Sequence, residues 1–581
     1  MSRAVQHRRR LGSVQSCAAA LFAGWLFAGC QFSDEARAGV LNQCERDADC
    51  SGARCHPELL ICVSEQSDVM RLAIEVTPAS SDSARVPDSF TFTTVELSEP
   101  TQLDLQMPEA VTIIGTVRWL SQPSEVVQAE LTLKNRVLPV DIASAPGLVR
   151  NQGVQTTSRA GVRPADSASG EADYALRTIN AVRYEVEVLP QGDDERLLPP
   201  ARFRDVVIDA PEGSARFDIR YEADLVAFSG RVFGTADGGA PVPEDGLRVR
   251  AVRREDGEVI SSTDISGGAG REAGAFFIRL DPSWTTCDDC FVIEFSAAGD
   301  RPLFPTVWVD PRTFLAGVGT PSVQVPKVSP VQLAGQALAA ENGRPLGGAV
   351  LSFTSDNVLN MKSGLIGKFQ VQTLSDAEGR FSVELLPGDY DVVMTPEQSD
   401  NAAVHVVRHT VGPVSSQLTL QARERVSFGG EVRTWDGRRV PAAAVVATAQ
   451  RQGPLSELTA AAVFGRSQEG TTTADGNFAL ALDEGGYDLQ LRPAQGSGLP
   501  WVVVSSLPIT AATPPIATRY IVPPPLPLFG RVLRADGAPL RGAELVAYRL
   551  PADDEGDAVA VARAVSDTDG HYRLLFAPLG R

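Results

Sequence analysis

Apolar and polar residues alternate along most of this chain. Leu72-Ala73-Ile74-Glu75-Val76, Phe90-Thr91-Phe92-Thr93 and Leu103-Asp104-Leu105 place apolar side chains at every second position. That is the period of a strand with one face buried. These strands predict a small β-segment over residues 67–110, free to form its own domain or to pack on the first repeat. Further along, the alternation is cut into long blocks by Pro and Gly. Each block opens with apolar-x-Gly-x-Val/Ala: Ile113-x-Gly115-x-Val117, Phe228-x-Gly230-x-Val232, Leu333-x-Gly335-x-Ala337, Phe428-x-Gly430-x-Val432 and Leu528-x-Gly530-x-Val532. The glycines are 115, 105, 95 and 100 residues apart. A long fixed period means one module copied. A Gly on the one-three-five face of a strand implies a bulge or the close approach of another backbone.

The clearest internal signature is Ser375-Asp376-Ala377-Glu378-Gly379-Arg380-Phe381, then Pro387-Gly388-Asp389-Tyr390-Asp391-Val392, then Pro396. It returns as Asp475-Gly476-Asn477-Phe478, Gly485-Gly486-Tyr487-Asp488-Leu489 and Pro493. In both copies ring and Tyr are nine residues apart, and Pro follows Tyr by six. Tyr184 to Pro190 keeps the second spacing, while Phe291 and Ala297 stand there in the second block. Asp-Gly pairs such as Asp436-Gly437 and Asp536-Gly537 are turn dipeptides between strands. This grammar resembles the carboxypeptidase regulatory-like domain, a transthyretin-like β-sandwich of about seven strands. The resemblance covers Val111 to Arg581; it is strong in repeats three to five and weak in the first. The fold class is therefore expected to be all-β: tandem Ig-like/transthyretin-like β-sandwich repeats at 111–225, 226–327, 328–422, 423–522 and 523–581. The collagen-adhesin B-type repeat is similar in pattern, but its isopeptide bond needs a Lys in the first strand. None of the five opening strands holds one, so no such bond is expected.

The fifth repeat is expected to be incomplete. With Tyr572 aligned on Phe381, the chain reaches Arg581 where the Tyr strand should begin, which would leave a sheet edge unpaired. Three insertions interrupt the period: Asp141 to Glu171 reads as a disordered loop, Leu455 to Phe464 as one short helix, and Asp553-Asp554-Glu555 as an acidic hairpin tip.

Composition narrows the class further. The 581 residues suggest roughly four to six domains. The net charge of −19 becomes −23 once residues 1–29, with four Arg and no acid, are removed. A dispersed acidic charge without a basic stripe lacks the footprint of nucleic-acid binding. Arg8-Arg9-Arg10 is followed by an apolar run from Cys17 to Gly29 that is too short to span a bilayer. Its end, Leu26-Phe27-Ala28-Gly29-Cys30, resembles the lipobox of bacterial lipoproteins. The resemblance implies a signal peptide at 1–29, a diacylated Cys30, a tether at 30–43 and an exported, membrane-anchored protein. Gln31 after the lipid-bearing Cys points to the outer membrane or cell surface over the inner membrane.

Of eight Cys, six remain after Cys17 and Cys30 are set aside. Cys44, Cys50, Cys55 and Cys62 lie in a stretch (44–62) too short to bury a core, so a disulfide-rich knob is expected. Three pairings are open. A four-thiolate metal site is the less favoured reading, because CxxC spacing is absent there. Cys287-Asp288-Asp289-Cys290 is a CxxC that could be redox-active, half a metal site, or a local disulfide; with no second CxxC and a strand after it, the disulfide is preferred.

No catalytic motif in the chain is complete. The chain has no His-x-x-Glu, Gly-x-Ser-x-Gly or phosphate loop. His405 and His409 fall on a strand-like run, where i and i+4 lie about 13 Å apart. Asp567-Thr568-Asp569-Gly570 starts like a calcium loop, but position twelve is Pro578, so it reads as a hairpin turn. No catalytic residue, cofactor or metal is expected. The reading is a non-enzymatic, lipid-anchored rod of sandwiches serving as spacer, adhesion or binding scaffold. The alternatives are a carbohydrate-binding protein or an accessory subunit of a peptidase or export assembly. Its partners would be the membrane and a glycan or protein. Aromatic platforms formed by Trp284, Trp308, Trp435 and Trp501 would separate the carbohydrate reading from the others. Substituting Cys30→Ser is expected to move the protein from the membrane fraction to the soluble fraction of fractionated cells; continued membrane association would remove the lipid anchor.

Overall fold

The computed structural model describes residues 41–79, 86–87, 89–120, 122–135, 155–160, 173–179, 182–208, 213–221, 225–235, 240–268, 270–287, 289–298, 304–315, 321–326, 329–358, 366–450, 465–513, 518–550 and 558–579. Cys30, the signal peptide, Leu455 to Phe464 and Asp553-Asp554-Glu555 lie outside the described residues. The fold is all-β, in pairs of packed sheets.

Repeat three shows the unit most clearly. Its opening strand Val331–Ala339 pairs antiparallel with Arg380–Leu385 and parallel with Ser416–Ala422. The facing sheet sets Val350–Val358 between Ile366–Leu374 and the tyrosine strand Gly388–Thr395, which His405–Val411 then flanks. Arg380–Leu385 alternates strictly between exposed and buried, as its period predicts. Leu333, Phe353, Phe381, Tyr390 and Val392 meet in one core. Tyr390 is fully buried and its hydroxyl donates to Leu386 O at 2.7 Å. Repeat four repeats the plan around a buried Tyr487.

Two local devices recur. An added Cβ on the opening-strand glycine would meet the carbonyl oxygen of the parallel return strand: Phe217 for Gly115, Leu418 for Gly335, Thr518 for Gly430 and Leu103 for Gly530. The second device is a buried hydroxyl ahead of the hairpin. Ser375 Oγ donates to Leu346 O and accepts from Ala349 N. Thr472 does the same between Val440 and Ala443, and Ser566 between Leu540 and Ala543. Each hydroxyl pairs a backbone donor and acceptor that the turn would otherwise bury unsatisfied.

The expected disordered loop from Asp141 to Glu171 is corrected in part. Gln155–Ala160 forms a strand on Ala129–Asn135. Between repeats two and three, Thr306–Val309 pairs with Ile366–Leu374. Their second sheets thereby become one sheet of eight strands.

The expectation for repeat five is also corrected, and with it the independence of the 67–110 segment. Met70–Thr77 pairs antiparallel with Glu544–Arg549 in the place of the tyrosine strand, and Phe90–Leu97 flanks it. Thr101–Gln102 and Leu105–Gln106 run parallel to Leu526–Leu533 as its return strand. The register matches that of the other repeats. Glu544 faces Thr77 as Val350 faces Thr395 and Ala444 faces Arg492. Leu72 thus stands where Tyr390 and Tyr487 stand. Leu72, Ile74, Val76, Leu105 and Met107 share one core with Leu528, Val532, Leu545 and Phe576. Residues 70–107 and the fifth repeat fold as one sandwich.

Gly530 is the point at which a side chain would wedge that sandwich apart, because its Cβ would lie 1.9 Å from Leu103 O. Gly530→Ala is expected to cost about 3 kcal/mol, the upper range for overpacking. It should accelerate amide exchange in Met70–Thr77 and Leu526–Leu533 together. Gly412→Ala, with nothing within 4 Å of the new Cβ, should stay within about 0.5 kcal/mol of wild type. Unchanged protection of Met70–Thr77 in Gly530→Ala would contradict this account of closure.

Candidate functional site

The cysteines form three disulfides: Cys44–Cys55, Cys50–Cys62 and Cys287–Cys290. The three knob sulfurs that cluster closely, those of Cys44, Cys50 and Cys62, are consumed in these bonds and are not thiolate ligands. Cys287 and Cys290 follow the short 3-10 turn Pro282–Thr286 and precede strand Phe291–Ala297, so the bond closes a turn. The knob is wedged between repeats four and five. Asn42 Nδ2 donates to Cys62 O at 2.7 Å and to Gly498 O at 2.6 Å. Ser64 N donates to Pro525 O, and the His56 ring stands edge-on to Phe529 at 5.2 Å. His56 Nδ1 accepts from two backbone amides, and burial lowers its pKa; both favour the neutral ring.

His405 and His409 lie on strand His405–Val411, facing Met394 and Tyr390 across the ladder, and do not form a chelating pair. Asp567 Oδ1 accepts from the amides of Asp569 and His571, which makes that motif a side-chain-capped turn.

The described tryptophans are engaged in contacts inside the protein. Trp119 of repeat one lies under Arg279 of repeat two, 5.5 Å from ring centre to guanidinium. Trp308 of repeat two lies under Lys368 Nζ of repeat three at 3.8 Å, while its Nε1 donates to Glu294. Trp435 of repeat four packs on the knob disulfides and donates to Ser51 O at 2.8 Å. Trp501 of repeat four lies under Arg492 and bridges to Phe576 of repeat five. Trp284 packs on the core of repeat two. The sequence carried no signal for the contacts of Trp119, Trp308 and Trp435, since their partners Arg279, Lys368 and Ser51 belong to other modules. Phe90 completes the circuit, packing on the cores of both repeat five and repeat one. Each repeat therefore touches the next, and the fifth touches the first.

The junction between repeats three and four has no tryptophan among its described residues. It is built on charge and borders a cavity of about 690 Å³, lined by His405, Arg423, Arg425, Asp483 and neighbours. Asp483 Oδ1 accepts from Val404 N at 3.0 Å and Arg466 Nη2 at 2.9 Å. Its Oδ2 accepts from Arg466 N at 2.8 Å and Nε at 3.0 Å. Arg466 Nη1 also donates to Pro396 O at 2.9 Å. Burial pushes the Asp483 pKa upward, but the Arg466 hydrogen bonds outweigh it and the net shift is down. Arg425, its side chain 1% exposed, holds Nε 3.6 Å from Asp483 Oδ1, too long for a hydrogen bond. Burial and then the Arg466 charge lower the Arg425 pKa. Tyr487, beside this group, is pushed up to about 12 by burial and then by the Asp483 charge. Burial and Arg423 lower His405. Sequence reading missed this cluster because its members come from the end of one repeat and two separate strands' flanks in the next.

No family model and no curated protein matches the chain. Among solved structures, a streptococcal ancillary pilin is 15% identical, covering 55% of this chain and 99% of its own, with a TM-score of 0.19. The TIE protein of Bacillus anthracis is 10% identical over 68% of each chain, TM-score 0.17. A mutant shaft pilin of Lactobacillus rhamnosus GG is 13% identical over 35% of this chain and all of its own, TM-score 0.15. Overlaps at these scores carry no argument about ligand or assembly; the all-β architecture rests on the strand pairing itself.

Removing Asp483 is expected to open the third junction. Asp483→Ala leaves Arg466 buried without its carboxylate and should cost about 3–5 kcal/mol, as for a broken buried pair. The wild-type folded pKa lies below the unfolded 3.8. The contribution is thus complete above about pH 4 and is lost as pH falls through the lowered folded value. Urea unfolding followed from pH 6 to pH 2 should show an acid-dependent loss in wild type that is smaller in the variant.

Proposed function

We propose that this chain is an exported, non-enzymatic scaffold, held to a membrane by lipid on Cys30 and presenting five β-sandwiches as a closed circuit. The observation that carries the reading is the completion of repeat five by Met70–Thr77 and its following strands. With that sandwich formed, each module is gripped by a neighbour on either side, and the knob next to the tether is gripped by repeats four and five. Such an assembly suits a stiff platform better than an extensible spacer, because no module can swing without breaking a packed junction. Leu41 packs on the core of repeat four, so the stretch after Cys30 enters the fold there. We place the protein at the outer membrane or cell surface on the lipobox resemblance and Gln31. The carbohydrate reading gains no support, because Trp308, Trp435 and Trp501 are taken up by Lys368, Ser51 and Arg492.

Small-angle scattering of the mature chain separates a circuit from a rod. Modules of about 100 residues are about 34 Å across; five in a line have a radius of gyration of about 50 Å, and five in a closed circuit about 32 Å. A value near 32 Å is expected and a value near 50 Å would overturn the closed scaffold. Saturable binding on a glycan array, abolished by substituting one of these tryptophans, would replace the scaffold reading with the carbohydrate one.

A further inference from the structure

In every module the tyrosine strand, or its equivalent, is flanked by one more antiparallel strand. Repeats one and four break the register of that flanking strand. Arg204 and Asp205 together stand against the single residue Glu185, and Ser505 and Ser506 against Asp488. Asp205 and Ser506 each take a φ of 57°. In repeat five the register slips between Leu72 and Ile74. Bulges of this kind twist an edge strand and keep a further strand from pairing with it. The flanking strand of repeat two, Thr306–Val309, has no slip, and it is already paired on its outer side with Ile366–Leu374 of repeat three.

Repeat three differs from the other four. His405–Val411 pairs with Gly388–Thr395 through seven consecutive residues without a slip. It carries no Pro, and it ends the eight-stranded sheet. Among the described residues, its backbone groups bond only to Gly388–Thr395. Arg408 is its single Arg or Lys and is turned toward Asp391 at 3.4 Å, while Val406 is exposed. A regular edge with free backbone donors and acceptors is a template for another strand.

We infer that His405–Val411 is the docking edge for a second copy of this chain, the two strands pairing antiparallel about a two-fold axis. The chain itself supplies the precedent for such an occupant, because the corresponding edge of repeat two joins a strand of a neighbouring module in antiparallel fashion. An antiparallel edge is also self-complementary, as a two-fold dimer requires. The cavity at the junction with repeat four borders His405 and Val406, so the axis is placed beyond it, at His409. Residues 407–411 of the two copies then pair, with Val407 facing Val411 and Arg408 facing Thr410. An axis at Arg408 would set two like charges opposite each other, which destabilises a pair of strands. The inference needs neither the lipid anchor nor the closed circuit.

The test is sedimentation velocity of residues 31–581 at pH 8, where histidine is neutral. One added strand pair buries a small area and belongs to the weak class of interfaces, so the protein is followed from about 1 μM to about 1 mM. A monomer–dimer equilibrium is expected. At the high end of the range, amide exchange should slow in residues 407–411 and stay unchanged in the bulged edge Val502–Ile509. Replacing Arg408 by the pair Ser-Ser copies the bulge of repeat four and should weaken the dimer by about 10-fold or more. Arg408→Ser removes the same charge without lengthening the strand and should change the affinity by less than about 5-fold. A monomer over the whole range, association that continues past the dimer, or equal association of the two variants would overturn the proposal. Should the Ser-Ser variant fail to fold, exchange in the wild-type protein decides: a dimer that leaves residues 407–411 unprotected rejects this edge.

Discussion

Pairing of Met70–Thr77 with Glu544–Arg549 is the contact on which the rest of the arrangement depends. The two strands belong to parts of the chain separated by 473 residues, as the bond from Tyr548 to Glu75 marks. Closing so long a loop costs about 5 kcal/mol of chain entropy if the intervening chain is treated as flexible. Leu72, Ile74, Val76, Leu105 and Met107 are buried by the closure, at about 1.5–3 kcal/mol each. Burial therefore outweighs closure even before the ladder hydrogen bonds are added. Without it, repeat five would carry an open sheet edge and half a core, a state that sheets avoid.

Closure also explains where the unusual side chains sit. A module fixed at both ends must match its neighbours in orientation, and sequence-distant partners are used to hold that match. At four of the contacts an aromatic ring lies at the seam, with Lys or Arg over Trp119, Trp308 and Trp501 and a disulfide knob against Trp435. The third junction instead uses a saturated Asp483 and a guanidinium, Arg466, that reaches back to Pro396. Rings tolerate small changes of angle, whereas the bonds from Val404 to Asp483 and from Arg466 to Pro396 do not. The charged junction is thus more directional than the aromatic ones, and it borders a cavity.

The repeated Ser or Thr ahead of each hairpin illustrates how a module survives sequence drift. Ser375, Thr472 and Ser566 make the same pair of bonds in modules whose other residues differ. What the fold retains is a hydroxyl able to donate and accept at one point, and either residue provides it.

Much of the module was legible in the sequence. The alternation, the Asp-Gly turns, the opening glycine and the Tyr-to-Pro spacing all report contacts between near neighbours, or a steric limit at a single backbone position. Even the strand that completes repeat five left a trace, because Leu72 to Pro78 keeps the six-residue spacing of Tyr390 to Pro396, with Leu in place of Tyr. Local patterning thus determined the strands, the turns and the all-β class. Tertiary structure decided which strand joins which sandwich, the seams on which the tryptophans sit, and the buried pairing of Asp483 with Arg466 beside Arg425. Those outcomes depend on residues far apart in sequence meeting in space.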